Sequence, residues 1–223
     1  MLRVTIFSTL IVLASAIYEL NPDATVTIIP IRVDKNLTII DNFFQDIDAV
    51  LNVERQKLPK SDHNYYPGHR YELLKRPDNP YFEGKKCGFS EITTTPEEMQ
   101  EPQKIPHCDG KNWRALLVYL QDRPFDGTAL YMHRESRGLV CTQGTPLLRD
   151  ELKYINNTDR YMNGSNDRWE MIYKATMKKN RAVIYDGDLY HSADMEKFVE
   201  GRMTFGCFEP IPDAVHWTFD VFA

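Results

Sequence analysis

NRAVIYDGDLYHSADMEKFVEGRMTFGCF, residues Asn180 to Phe208, is the stretch on which the fold turns. Arg181 to Asp186 is rich in β-formers and reads as a mostly buried strand. Asp186-Gly187-Asp188 then turns the chain, and Leu189-Tyr190-His191 resumes it. A second strand runs from Arg202 to Phe208. Strand alternation puts Arg202 and Thr204 on one of its faces and Met203, Phe205 and Cys207 on the other. A histidine at a strand edge, followed eleven residues later by an inward arginine, suits a metal with an anion beside it.

The chain around this stretch is also β-rich. Ala115 to Leu120, ALLVYL, is a continuous apolar strand of a covered sheet, and Thr128 to His133 follows as another. Met171 to Ala175 leads into the final pair. Near the N-terminus, Thr25 to Ile31 and Leu37 to Ile40 are short strands around an Asp-Lys-Asn turn. Asp41-Asn42 then caps a helix over Phe43 to Leu51, whose Phe44, Ile47 and Val50 recur at helical spacing. Lys60 to Gly68 is a loop. Asn79 to Gly110 reads as irregular, because Pro80, Pro96, Pro102 and Pro106 interrupt any long element, with at most a helical turn at Glu97 to Glu101. Asp150 to Trp169 is a polar excursion with a short helix near Leu152 to Ile155, and Trp217 to Val221 is an aromatic segment packed on the sheet. With 223 residues there is room for one substantial core, so the expectation is a single, mainly β domain with flanking helices.

A formal charge of −5 and no lysine or arginine run argue against a nucleic-acid partner. Residues 1–16 have the basic, apolar, small-residue order of a cleaved signal peptide, leaving 17–223 as the domain. The apolar run is too short to span a bilayer. The expected location is therefore the secretory pathway, in the endoplasmic reticulum lumen or outside the cell. The alternative is a cytoplasmic protein in which Val4 to Leu13 is buried. Asn36, Asn156 and Asn163 stand in Asn-x-Ser/Thr triplets, compatible with a glycoprotein. Cys87, Cys108, Cys141 and Cys207 match no zinc spacing and allow one or two disulfides. Cys108, lying between two candidate ligands, is a poor disulfide candidate on this reading.

His107 and Asp109 are two residues apart, so on an extended segment both point the same way. If His191 joins them from a neighbouring strand, two imidazoles and one carboxylate occupy one face of an ion and leave the other open. Non-haem Fe(II) oxygenases use this arrangement. The plainer reading leaves His107 and Asp109 in a loop and His191 on the surface. Arg202 is costly to bury without an anion; its guanidinium matches a carboxylate in bidentate fashion, and Thr204 can add a bond on the same face. Otherwise it reaches solvent or pairs with Glu200 or Asp188. Tyr65, Tyr66, His69, Arg70, His133, Arg134 and Arg137 are candidates for the mouth of a site. Tyr119 and Tyr190 are candidates to line it, with no catalytic role assigned.

Several motifs carry a family resemblance: NLTIIDNFF (Asn36 to Phe44), YPGHR (Tyr66 to Arg70), HCDG (His107 to Gly110), FDGTALYMHRESRG (Phe125 to Gly138), NRAVIYDGDLYHSA (Asn180 to Ala193) and GRMTF (Gly201 to Phe205). With these the chain resembles the Fe(II)/2-oxoglutarate-dependent oxygenase superfamily, and within it a little-characterised oxygenase-like group (DUF6445-like). The resemblance implies a double-stranded β-helix, the cupin-like jelly roll. It implies Fe(II) held by the catalytic triad His107, Asp109 and His191, with 2-oxoglutarate held by Arg202, to which Thr204 on the same strand face can add a bond. The implied reaction consumes O2, with ascorbate as a possible reductant, hydroxylates a peptide or small polar substrate, and releases succinate and CO2. Relatives often carry Gly-Gly where this chain has Asp126-Gly127, a departure read here as lying at a turn. Two other classes compete with the dioxygenase: a non-catalytic jelly-roll binding module, and a zinc hydrolase using the same three ligands.

Overall fold

The structure is a computed structural model that describes residues 17–54, 60–61, 68–73, 77, 79–93, 99–100, 103–141, 162–195 and 201–211. Its strands are β1 (Thr25–Arg32), β2 (Lys35–Asp41), β3 (Lys60–Ser61), β4 (Gly68–Glu72), β5 (Lys86–Ile92), β6 (Trp113–Tyr119), β7 (Arg123–His133), β8 (Trp169–Met177), β9 (Arg181–Asp186), β10 (His191–Met195) and β11 (Arg202–Pro210). The described helices are α1 (Ile47–Glu54) and a 3-10 turn at Pro80–Phe82. No helix among the described residues is long and apolar enough to cross a membrane.

Two antiparallel sheets result, one of eight strands in the order β1-β2-β9-β6-β11-β5-β4-β3 and one of three in the order β10-β7-β8. A bridge between His107 and His191 adds a fourth segment to the small sheet, beside β10. The chain alternates between the sheets. β5 lies in the large sheet, the His107 segment in the small, β6 in the large, β7 and β8 in the small, β9 in the large, β10 in the small and β11 in the large. That winding is the double-stranded β-helix, a jelly roll.

Strand alternation supplies two hydrophobic layers. Between the sheets, Ala115, Tyr119, Val183 and Tyr185 of the large sheet meet Leu130, Ala175 and Met177 of the small one. Behind the large sheet, Phe89, Val118 and Phe205 pack against Tyr18, Phe43, Phe44 and Phe82. The Phe89 and Phe205 rings meet edge to face at 5.3 Å. Each such buried ring contributes roughly 1.5–3 kcal/mol of transfer free energy.

Three expectations need correction here. The helix does not begin at Phe43. Asn42 is left-handed (φ 58°), and Asn180 captures the next two residues by accepting from the Phe43 and Phe44 amides and donating to the Phe44 carbonyl. The helix starts only after Asp46, whose carboxylate accepts from the Ala49 amide as an N-cap. The stretch Asn79 to Gly110 is not wholly irregular, since it contains β5, paired along its length with β11 and linked to it by the Cys87–Cys207 disulfide. Asp126-Gly127 is not a turn, for both residues lie inside β7 beside a register shift. The signal-peptide segment, Asn156, the helix near Leu152 to Ile155, the segment Trp217 to Val221, and Tyr65 and Tyr66 lie outside the described residues.

Arg181 clamps β9 to β2 by donating from Nε and Nη2 to the two Asp41 oxygens, at 2.7 and 3.0 Å. The Arg181 hydrogen bonds hold the Asp41 carboxyl below its usual pKa, against a smaller opposing effect of burial. Its folded pKa being depressed, the stabilisation is complete above the unfolded value of about 3.9 and fades as pH falls through the folded one. Asp41→Asn is expected to lose roughly 1 kcal/mol at pH 7 in denaturant melts. The gap from wild type should close in acid below pH 4; a constant gap would show that the charge is not the cause.

Candidate metal centre

Two short strands and one turn bring the three ligand candidates together. The backbones of His107 and His191 exchange hydrogen bonds, each N–H to the other's carbonyl at 2.9 Å. Two residues on, the Asp109 and Gly110 amides both donate to the Gly187 carbonyl, at 2.8 and 3.1 Å. Gly187 has to be small, because a Cβ there would meet the Gly110 and Trp113 carbonyl oxygens at 3.0 Å and the Asp109 side chain at 3.2 Å. The Asp-Gly-Asp turn thus doubles as the floor under Asp109. One ligand atom from each of His107, Asp109 and His191 lies within 4.8 Å of the other two, a grouping that can hold a metal ion.

Both imidazoles are oriented from behind. His191 Nδ1 lies 2.8 Å from the Leu189 carbonyl, and His107 Nδ1 lies 3.2 Å from the Ile105 carbonyl. A carbonyl can only accept, so each Nδ1 carries a proton and Nε2 is the nitrogen that each ring turns to the site. His191 is 4 % exposed, while the Asp109 side chain, at 29 %, opens onto the cavity. Burial, helped by the neighbouring His191 charge, pulls the His107 pKa down to about 4, so the ring is neutral near pH 7. Burial also opposes charge on Asp109 and His191, but their mutual attraction wins. The Asp109 carboxyl drops to about 2, and the His191 ring, with Nε2 3.3 Å from Asp109 Oδ2, is raised.

The triad faces a cavity of about 730 Å³ between the two sheets. On the opposite wall, β11 aims Arg202 and Thr204 inward, both almost fully buried. Arg202 donates from Nη2 to the Gly127 carbonyl at 3.1 Å, and its guanidinium carbon sits 5.8 Å from the centre of the Tyr119 ring. Its Nε is buried and has no hydrogen-bond partner among the described residues. Asp188, one partner foreseen for Arg202, pairs instead with Lys35 at 3.0 Å, and Glu200 lies outside the described residues.

Of the candidates for the mouth, only Arg70 is brought into the cavity among the described residues. His69 stacks edge-on with Tyr71, His133 is fully buried against Trp169, and Arg134 pairs with Glu170. Tyr119 stands behind Arg202, and Tyr190 packs on Trp169 away from the cavity. Sequence reading missed Lys86, Ser90, Gln103 and Trp113, which also line the cavity. Only strand pairing could have exposed the first two, since it puts Lys86 opposite Phe208 and Ser90 opposite Thr204.

Cys108 corrects an expectation. It is joined to Cys141, in the segment that follows the Val140–Leu189 bridge. Alternation explains this. The geometry that points His107 and Asp109 into the cavity sends Cys108 to the other side, where it packs with Tyr131, Trp169 and Tyr190. The disulfide therefore braces the ligand segment without competing for the ion.

Among solved structures the chain is similar to HygX from Streptomyces hygroscopicus, crystallised with nickel and 2-oxoglutarate bound. The two share 15 % identity over 79 % of this chain and 84 % of that one, with a TM-score of 0.44. No curated protein matches. A family profile matches residues 77–208, which include all three ligand candidates and Arg202. On that match, spanning more than half of its length, the chain belongs to a family of unknown function (DUF6445).

Proposed function

We propose that the protein is an Fe(II)- and 2-oxoglutarate-dependent dioxygenase acting on a peptide or small polar substrate. The observation that carries this reading is the placement of a buried arginine across one cavity from a two-histidine, one-carboxylate face. The residues fit the groups on two counts. Both imidazoles tie Nδ1 to a backbone carbonyl and turn Nε2 to the site, as a metal requires, and Arg202 buries an Nε that no described residue satisfies. A carboxylate beside Arg202 would satisfy it.

His107, Asp109 and His191 would hold the ion, while Arg202 and Thr204 would grip the far carboxylate of the 2-oxo acid. When both are bound with O2, they supply oxidative decarboxylation to succinate and CO2 coupled to hydroxylation of the substrate. The chain's own task is placement. The Gly127 carbonyl and the Tyr119 ring fix the guanidinium, and the Tyr119 hydroxyl is itself held 2.8 Å from Thr128 Oγ1. Tyr185, its ring 4.7 Å from that of His191, excludes water from behind the triad.

Arg202→Ala is expected to weaken 2-oxoglutarate binding by about 2–5 kcal/mol while iron uptake survives. An unchanged dissociation constant would remove Arg202 from the co-substrate site. Succinate formation with iron and ascorbate across candidate substrates then tests turnover. Persistent silence with iron bound would favour a binding module, and zinc-dependent hydrolysis indifferent to oxygen would favour a hydrolase. Secretion is part of the same reading. It is supported by the two disulfides, which suit an oxidising compartment. N-terminal sequencing of protein from a secretory host should find residues 1–16 missing; an intact Met1 on cytosolic protein would refute it.

A further inference from the structure

The turn Asp186-Gly187-Asp188 holds more of the metal centre than the Asp109 backbone. The Gly187 carbonyl accepts from the Asp109 and Gly110 amides, and the next carbonyl, that of Asp188, accepts from the Cys141 amide at 2.8 Å. One residue further, the Leu189 carbonyl accepts from His191 Nδ1, while the Leu189 amide closes the turn onto the Asp186 carbonyl at 3.1 Å. This short turn therefore seats one ligand by its main chain and orients another by its ring.

What holds the turn from outside is a side chain far away in sequence. Lys35 opens β2, immediately after the short loop of the β1–β2 hairpin. The β2–β9 register ends with Thr38 opposite Ile184; carried on past that pair, it brings Lys35 level with Gly187. From there Nζ meets Asp186 Oδ2 and Asp188 Oδ2, each at 3.0 Å, and all three side chains are mostly buried. Both oxygens share one nitrogen, so the two carboxylates stand within about 6 Å of each other. Asp186 has a second cation, Arg114, with Nε 3.1 Å from Oδ1. For Asp188, Lys35 is the cation that its carboxylate meets among the described residues, where Oδ1 is buried without a hydrogen-bond partner. Without Lys35, two poorly solvated negative charges would face each other across Gly187. The turn relieves that repulsion by opening, which draws the Gly187 and Leu189 carbonyls away from their donors.

We infer that Lys35 is a positioning residue for the metal ion, a charge clamp that keeps the turn closed under Asp109 and behind His191. This rests on the metal-centre reading and is independent of the co-substrate. Direct electrostatics predicts the opposite outcome on mutation. Removing a positive charge near a cation site strengthens cation binding, whereas loosening the turn that places the ligands weakens it. The sign of the change separates the two.

Co(II), titrated into the full-length protein and followed by its visible ligand-field bands, reads affinity and coordination together. A wild-type protein that takes up no cobalt refutes the metal centre, and the clamp with it. Lys35→Met should bind cobalt at least about tenfold more weakly, with altered bands. Lys35→Arg, which still reaches both carboxylates, should stay near wild type. Adding Asp188→Asn to Lys35→Met removes the repulsion and should restore most of the lost affinity. Asp41→Asn is the control, because it breaks a charge pair at the other end of the same β2–β9 pairing. It should melt early yet bind cobalt as wild type does. Should Lys35→Met not fold, Lys35→Gln, which keeps a hydrogen bond to one carboxylate, should show the same loss to a smaller degree. Cobalt binding by the Lys35 variant as tight as wild type or tighter would overturn the clamp. So would a loss shared by Lys35→Arg or matched by Asp41→Asn, which would track stability instead of paired charge. A double variant no better than Lys35→Met alone would overturn it as well.

Discussion

His191→Ala is expected to abolish stoichiometric iron uptake, lowering metal affinity by about a hundredfold or more. His191 is the residue on which the site converges. It pairs backbone to backbone with His107, sets Nε2 3.3 Å from Asp109 Oδ2, and donates Nδ1–H to Leu189. Alanine keeps the backbone bridge, so the His107 segment should stay on the small sheet while the ligand atom disappears. The lost ring also leaves space beside Tyr185, for which roughly 1–3 kcal/mol of stability should go. Anaerobic Fe(II) titration followed by elemental analysis separates the two effects, because a folded variant that binds no iron has lost only the ligand. Wild type should take up close to one iron per chain. If a His107/His191 double alanine variant takes up as much, the three residues are not the metal site.

Much of this was legible in sequence because two-residue periodicity does the work. His107 and Asp109 share a face, Arg202 and Thr204 share another, and the structure sets these faces across one cavity. The same periodicity was not carried through to Cys108. Lying between two ligands in sequence, it lies behind them in space, where Cys141 reaches it. β5 was illegible for a different reason. Its pattern KCGFSEI starts on a lysine and carries a glycine next to its central Phe89, and it becomes a strand through pairing with β11 on one side and β4 on the other. With β5 unseen, Lys86 and Gly88 had no face, and Arg70 was one of seven polar or aromatic candidates for the mouth of a site. Phe43 shows the local limit of propensity. The helical spacing of Phe44, Ile47 and Val50 is real, but Asn180, distant in sequence, takes the Phe43 and Phe44 amides.

Gly127→Ala should cost about 3 kcal/mol and lower the melting temperature by roughly 6–12 °C. A Cβ at this position would lie 2.2 Å from the Ala175 carbonyl oxygen and 3.0 Å from its carbon. Those are backbone atoms of the neighbouring strand, so no rotamer change relieves the contact and β7 must move from β8. The movement matters for function because the Gly127 carbonyl is the group that accepts from Arg202 Nη2. In the folded variant 2-oxoglutarate affinity should therefore fall although neither the triad nor Arg202 has changed. Asp126→Gly, which gives the Gly-Gly pair that the family resemblance leads one to expect, is the control. It removes a buried carboxylate paired with Arg123 at 2.6 Å, but it adds no atom between the strands. That variant should keep its 2-oxoglutarate affinity within about threefold, whatever it loses in stability. If Gly127→Ala melts within a degree of wild type, the two strands are not in the close approach described. If it melts early yet binds 2-oxoglutarate normally, the Gly127 carbonyl is not what holds the arginine in place.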